Sequence, residues 1–237
     1  MKIKLIANQK KTWATKLQKE VKHYLIKHGH SIVDKGADAT ICIGGDGTIL
    51  YSNHKKRLQG RVLGIGSDSS YICQLRNHNW KEKLLSLLKT KDSMRIMTLD
   101  AVVGRKKFSA LNDFVIHATD YRVVHLEVSY SANSSSFEAD GIIVSTAVGS
   151  AGYAYSAGGK RLRPTDEKIT VVPIAPYMRA FSPKELPPDA AVEIKSRDEC
   201  AFILDGIHVK NLKKGEKVKI KRGSDMNFFL GVGGYER

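Results

Sequence analysis

Apolar and polar positions follow two different rhythms along this chain, helical spacing in the first part and strand spacing in the rest. After an apolar opening, MKIKLIA, the residues Leu17, Val21, Tyr24 and Leu25 recur at helical intervals through TKLQKEVKHYLIKHG, a helix that Gly29 would end. DATICIGG is β-branched and almost wholly apolar, the pattern of a strand buried on both faces. TILYSNHKKRL then predicts a helix beginning near Thr48, RVLGIG another strand and WKEKLLSLLK another helix. Strands alternating with helices over about the first ninety residues indicate an α/β domain with a mostly parallel, Rossmann-like sheet.

From about Met94 the rhythm changes. MRIMTLDAVVG, KFSALNDFVIH, RVVHLEVSY, GIIVSTA, KITVVPIA, AVEIKS, CAFILDG, KVKIKRG and MNFFLGVG read as strands joined by short polar or glycine-bearing turns, with a helix in GSAGYAYSAGGK. The expected organisation is therefore an α/β domain over residues 1–95 and a β-rich domain over residues 96–237. No internal repeat or low-complexity tract interrupts either.

Composition narrows the class. Of the 237 residues 42% are hydrophobic, enough for a substantial core. No apolar run approaches the roughly 20 residues of a membrane span, and MKIKLIANQKK reads as a first strand, not a signal peptide. Cys42, Cys73 and Cys200 lie far apart, in apolar surroundings and without CxxC spacing, so a disulfide framework or zinc site is not indicated and a reducing cytoplasm is expected. None of the eight histidines has HxxxH or HxxEH spacing, and His117 and His125 read as ordinary strand residues. Asn133-Ser134-Ser135 reads as a polar turn.

The net charge is +15, from 39 Lys and Arg against 24 Asp and Glu, which favours polyanions or phosphorylated small molecules as partners. The basic residues concentrate in KNLKKGEKVKIKRG, Lys210 to Gly223, where Val218 and Ile220 alternate with lysines. Without interleaved aromatics this reads as a solvated basic strand, not a nucleic-acid surface.

The candidate chemistry lies in ICIGGDGTIL. A strand ending in Gly44-Gly45-Asp46-Gly47 and leading into a helix near Thr48 presents backbone N–H groups and a helix N-terminus at a sheet edge, which is an anion site. Asp46 is the anomaly. Beside phosphates a carboxylate can serve a metal or take a proton from a nucleophile, as phosphoryl transfer requires; alternatively it caps the helix. No G-x-x-x-x-G-K-[ST] or complete dinucleotide fingerprint is present.

A second block, DGIIVSTAVGSAGYAYSAGG at residues 140–159, follows about a hundred residues later. Together with GGDGT it resembles the NAD kinase family, whose members carry GGDGT and a later DGxxxSTPTGSTAYxxSAGG; LNDFVIH, VPIAPY and ILDG also resemble family segments, so the resemblance spans nearly the whole chain. It implies a two-domain kinase that transfers the γ-phosphoryl group of ATP, or sometimes polyphosphate, with a divalent metal such as Mg²⁺, to the 2′-hydroxyl of the adenosine ribose of NAD, giving NADP. By that analogy Asp46 is the general base, and Gly44, Gly45, Gly47 and Thr48 form the phosphate-facing turn. Asn112, Asp113, Asp140, Tyr153 and Ser156 match positions that contact or line the dinucleotide. A homodimer or homotetramer is implied as well.

The chain departs from the family at Ala147, Val148 and Ala151 within the block, at GSDSSYICQL after RVLGIG, and at Tyr177 in place of the family histidine. These departures fall on the acceptor side, while GGDGT is intact. Two alternatives stay open: a GGDGT-type kinase acting on another hydroxyl, lipid or small molecule, and a catalytically silent nucleotide- or nucleic-acid-binding relative.

Overall fold

The computed structural model describes residues 1–231. Two compact units are present, one formed by Met1–Ile96 with the chain from Met226 on, the other by Met97–Asp225. The chain passes between them twice.

The first unit is α/β. Strand β1 (Lys2–Ala7) leads into α1 (Thr12–Lys27), followed by β2 (Ser31–Ile32), β3 (Ala39–Ile43), α2 (Asp46–His54), β4 (Arg61–Gly66), β5 (Leu75–Arg76) and α3 (Trp80–Lys89). The sheet is parallel in the order β2-β1-β3-β4, with β5 beside β4. Helix α1 forms because Ala14, Leu17, Val21 and Leu25, spaced three and four apart, make one apolar stripe that is buried against the sheet. Each such Leu or Val contributes about 1.5–3 kcal/mol when fully buried. All five residues of β3 are buried, as its apolar run requires for a central parallel strand. The late chain closes this sheet: Phe228 pairs with Val62, and the fully buried Phe229 donates its N–H to the Val62 carbonyl and stacks under the Arg61 guanidinium at 4.1 Å.

The second unit is an antiparallel β structure. Its strands are β6 (Met94–Val103, entering from the first unit), β7 (Lys106–Ala110), β8 (Asp113–Ala118), β9 (Val124–Tyr130), β10 (Asn133–Ala139), β11 (Gly141–Ser145), β12 (Ile169–Ile174), β13 (Lys184–Leu186), β14 (Val192–Ser196), β15 (Cys200–Leu204), β16 (Ile207–Leu212) and β17 (Lys217–Phe228, leaving for the first unit). One sheet runs β10-β9-β14-β17 and carries the β6–β7 hairpin; the other runs β13-β12-β11-β8-β15-β16. Alternate residues of both, among them Leu126, Val128, Phe114, Ile142, Val171, Phe202, Val218 and Ile220, meet in one core. The basic strand is solvated as expected, with Val218 and Ile220 buried and Lys217, Lys219 and Lys221 exposed.

Several elements differ from the sequence expectation. KFSALNDFVIH, read as one strand, is two, interrupted at Leu111 and Asn112. KVKIKRG and MNFFLGVG, read as two strands, share the single β17; Val232 and Gly233 lie outside the described residues. Asn133-Ser134-Ser135, read as a polar turn, starts β10, whose solvent face accounts for the polarity while Phe137 and Ala139 are buried. The small-residue helix expected in GSAGYAYSAGGK is a 3₁₀ turn at Gly149–Ala151 followed by one short helix, α4 (Tyr153–Ser156), whose Ala154 packs on Val115, Ile143 and Val172.

Candidate functional site

In the first unit, β3 ends at Ile43, and Gly44 and Gly45 adopt φ of +141° and +95° before α2 begins at Asp46. These are backbone angles that a side chain resists. Space excludes one too, since a Cβ on Gly44 would lie 2.5 Å from Thr48 Oγ1 and 2.6 Å from Asn8 Cβ. The turn is further fixed by the Lys11 ammonium, which donates to the Gly44 carbonyl at 2.8 Å. Beside it, Ile6, Asn8, Lys10, Thr48, Tyr51 and Arg57 are among the residues lining a cleft of about 530 Å³. The N-terminus of α2, exposed at Gly47 and with Lys10, Lys11 and Arg57 nearby, makes this an anion-attracting surface.

Asp46 does not cap α2, which has no side-chain cap. Its carboxylate turns instead to the segment after β4, where Oδ2 accepts the Tyr71 N–H at 2.6 Å and Oδ1 accepts those of Ile72 at 2.9 Å and Cys73 at 3.2 Å. The stretch that departs most from the family, GSDSSYICQL, is thus tied to the aspartate of the glycine turn. Cys73 is buried, which raises its thiol pKa, and the neighbouring Asp46 charge raises it further.

The second unit holds a cluster of carboxylates. Asp205 ends β15 in a turn with φ of +47°, and accepts three consecutive backbone N–H groups, from Leu111 at 3.0 Å, Asn112 at 2.7 Å and Asp113 at 3.1 Å. From the other side, Thr146 Oγ1 donates to the Leu111 carbonyl at 2.7 Å, and the Thr146 N–H donates to that of Asn112 at 2.8 Å. A Cβ on Gly149 would run into the Asn112 carbonyl, so the glycine is needed for the approach. Asn112 Oδ1 is buried without a hydrogen-bond partner among the described residues, a state that costs free energy unless a ligand supplies a donor. Asp113 is 6% exposed, and burial followed by the Asp205 charge raises its pKa from 3.8 to about 7. Tyr153, 43% exposed, has its phenol pushed up by burial, then by the Asp140 and Asp113 charges.

Family comparisons bear on both arrangements. The pattern describing the ATP-NAD kinase C-terminal domain matches residues 111–230. An NAD kinase from Thermoplasma acidophilum is 31% identical over 230 residues, covering 93% of this chain and 83% of that protein. The chain belongs to the NAD kinase family. An NAD kinase from Treponema denticola is 27% identical, covering 92% of this chain and 87% of that one. Among solved structures, an NAD kinase from Archaeoglobus fulgidus in complex with ATP superposes with a TM-score of 0.85 at 20% identity, over 98% of this chain and 94% of that one. Yeast NADH kinase complexed with NADH superposes with a TM-score of 0.86 at 16% identity, over 97% and 83%. These two likenesses establish the NAD kinase fold.

Within that fold the sequence-selected residues fall into two groups. Gly44, Gly45, Asp46, Gly47 and Thr48 form the turn in the first unit; Asn112, Asp113, Asp140 and Tyr153 gather in the second. Ser156 stands one turn along α4 from Tyr153, exposed, its hydroxyl directed to the Gly152 carbonyl at 3.4 Å. Of the departures from the NAD kinase pattern, Ala147 and Val148 are buried and Tyr177 is 60% exposed. Lys10, Lys11, Arg57 and Asp205 were not singled out from sequence. The ILDG resemblance carried a signal for Asp205; single cations in polar loops carried none.

Proposed function

We propose that this chain transfers the γ-phosphoryl group of ATP to the 2′-hydroxyl of the adenosine ribose of NAD, giving NADP. The reading rests above all on membership of the NAD kinase family with an unaltered GGDGT turn. Gly44, Gly45, Gly47 and Thr48 form the phosphate-facing turn, in which the Gly44 and Thr48 N–H groups are taken by the Ile65 and Gly45 carbonyls and Gly45 and Gly47 offer the backbone donors, while Lys11 and the cleft cations Lys10 and Arg57 offset the phosphate charge. Asp46 is the general base. Backbone N–H groups on both of its oxygens fix its orientation. Such a base contributes ~10²- to 10⁴-fold, and positioning supplies the rest. Asn112, Asp113, Asp140, Tyr153 and Ser156 hold the dinucleotide, with the unpartnered Asn112 amide oxygen suited to a hydroxyl or amide donor.

The family's divalent metal has no cage here, since the described residues contain no group of three His, Cys, Asp or Glu able to hold one. We therefore assign Mg²⁺ to the triphosphate, whose oxygens would be its ligands. A homodimer or homotetramer in the cytoplasm completes the reading; the three cysteines are free, and no helix among the described residues is long and apolar enough to cross a membrane. The curated relatives reported above are NAD kinases, which disfavours a lipid acceptor. Purified protein incubated with ATP, Mg²⁺ and NAD should yield NADP, and Asp46→Asn should not. NADP formation at the wild-type rate by Asp46→Asn would remove the base assignment, and a wild type that phosphorylates a lipid but not NAD would remove the acceptor.

A further inference from the structure

Of the residues proposed to meet the dinucleotide, Asn112 sits in the break between β7 and β8 and Asp113 opens β8 opposite Ser145. Thr146 holds the carbonyls of the break, and one side chain claims its N–H groups. Asp205, 8% exposed, accepts the N–H groups of Leu111, Asn112 and Asp113 at 3.0, 2.7 and 3.1 Å, and its own N–H returns to the Asp113 carbonyl at 3.0 Å. Its positive φ of +47° is a strained angle for a residue with a side chain, and the four bonds offset that strain. An aspartate placed this way does more than close a turn. It fixes the backbone at Asn112, whose side-chain amide oxygen is buried and has no hydrogen-bond partner among the described residues, and brings its charge up against Asp113.

We propose that Asp205 is a positioning residue of the dinucleotide pocket, holding Asn112 and Asp113 in register through their backbone N–H groups without itself touching substrate. The inference rests on the reading of Asn112 and Asp113 as NAD-contacting. The charge acting on Asp113 is that of Asp205 in the turn after β15, and Asp140 and Asp113 in turn raise the Tyr153 phenol on α4. Burial pushes both Asp113 and Asp205 up. Three N–H donors favour the ionised form of Asp205, so the proton held near neutral pH belongs to Asp113. Removing the Asp205 charge therefore lowers the pH at which Asp113 ionises.

The test uses the intact chain with Asp205→Asn and Asp113→Asn. Thermal unfolding, kcat and KM for NAD and for ATP, and NAD affinity by calorimetric titration across pH 5.5–8.5 are measured for each. Hydrogen bonds to a charged group are worth about 1.5–3 kcal/mol, roughly 10- to 100-fold, so Asp205→Asn should weaken NAD by at least about tenfold while the KM for ATP stays near wild type. The midpoint of the pH dependence of NAD affinity should move to lower pH in Asp205→Asn and vanish in Asp113→Asn. Wild-type NAD affinity and midpoint in Asp205→Asn would overturn the proposal, and so would equal losses for NAD and ATP in step with falling stability. If Asp205→Asn does not fold, Asp113→Asn decides, because a pH step that survives there overturns the coupling. A wild type that binds NAD without forming NADP defeats the kinase reading alone, and the titrations still decide on Asp205.

Discussion

Asp46 and Tyr71, 25 residues apart in sequence, are joined by a 2.6 Å hydrogen bond from the Tyr71 N–H to Asp46 Oδ2, and Ile72 and Cys73 add their N–H groups to the same carboxylate. Asp205 does the same to Leu111, Asn112 and Asp113. In each case an aspartate followed by glycine gathers three successive backbone donors that no ladder satisfies, which removes a desolvation cost and fixes a loop.

The first prediction concerns Asp46→Asn. If Asp46 is the base, kcat should fall by at least ~10²-fold. The amide also directs N–H groups at backbone donors, so Tm should fall as well, and Asp46→Asn is not expected to be structurally silent. Steady-state kinetics beside calorimetry check this; a lowered Tm with kcat intact would leave Asp46 a structural role only.

Gly44→Ala tests the turn itself. With φ of +141° and Thr48 Oγ1 and Asn8 Cβ at 2.5 and 2.6 Å from the new methyl, strain of about 1–3 kcal/mol is expected before any overlap is counted. For a chain of this size that lowers Tm by roughly 2–12 °C. A Tm unchanged in a thermal scan would show that the turn relaxes freely.

Loss of the Lys11 ammonium should register on the phosphate donor. Lys11→Met removes the 2.8 Å bond to the Gly44 carbonyl and one cation from the turn, so the KM for ATP should rise about 3- to 10-fold with the KM for NAD little changed. The opposite pattern would place Lys11 on the acceptor side.

Stability should depend on Asp113 with a defined sign. Its pKa is raised on folding, from 3.8 to about 7, so between these values the folded state binds more protons than the unfolded one and stability falls as pH rises. Above about pH 7 the cost is complete, with an upper limit of roughly 4 kcal/mol. Asp113→Asn should therefore gain more in denaturation midpoint at pH 8 than at pH 5. Equal gains at both would mean that the carboxyl is not held protonated by the fold.

The thiols should be inert in the folded protein. Cys42, Cys73 and Cys200 are all buried, and burial pushes Cys42 up to about 12 and raises the other two. A chromogenic disulfide reagent at pH 8 should titrate none of them until denaturant is added, and then three.

Much of this architecture can be read in the chain wherever burial imposes a period. The stripe through Ala14, Leu17, Val21 and Leu25 and the unbroken run of β3 are direct records of one face or two being covered. The interruptions are less visible. Leu111 and Asn112 look like strand because they lie between the apolar runs of KFSA and DFVIH, but their N–H groups are claimed by a carboxylate 94 and 93 residues away, which no local pattern encodes. Gly223 looks like a turn yet lies inside β17, where a Cβ would press on Thr98 and Asp100. At the candidate site the glycines and Asp46 were legible, since few residue types suit such a turn. Which donors Asp46 would collect was not.

The return of the chain to its first unit has a bearing on how the protein comes into being. Phe228 and Phe229, which complete the sheet beside Val62, leave the ribosome only after everything from Met97 to Asp225 has been made. The α/β unit, although synthesised first, is the one that must wait for its last strand contact. The β unit has all of its residues in hand earlier, so the order of synthesis is the reverse of the order in which the two units can be finished.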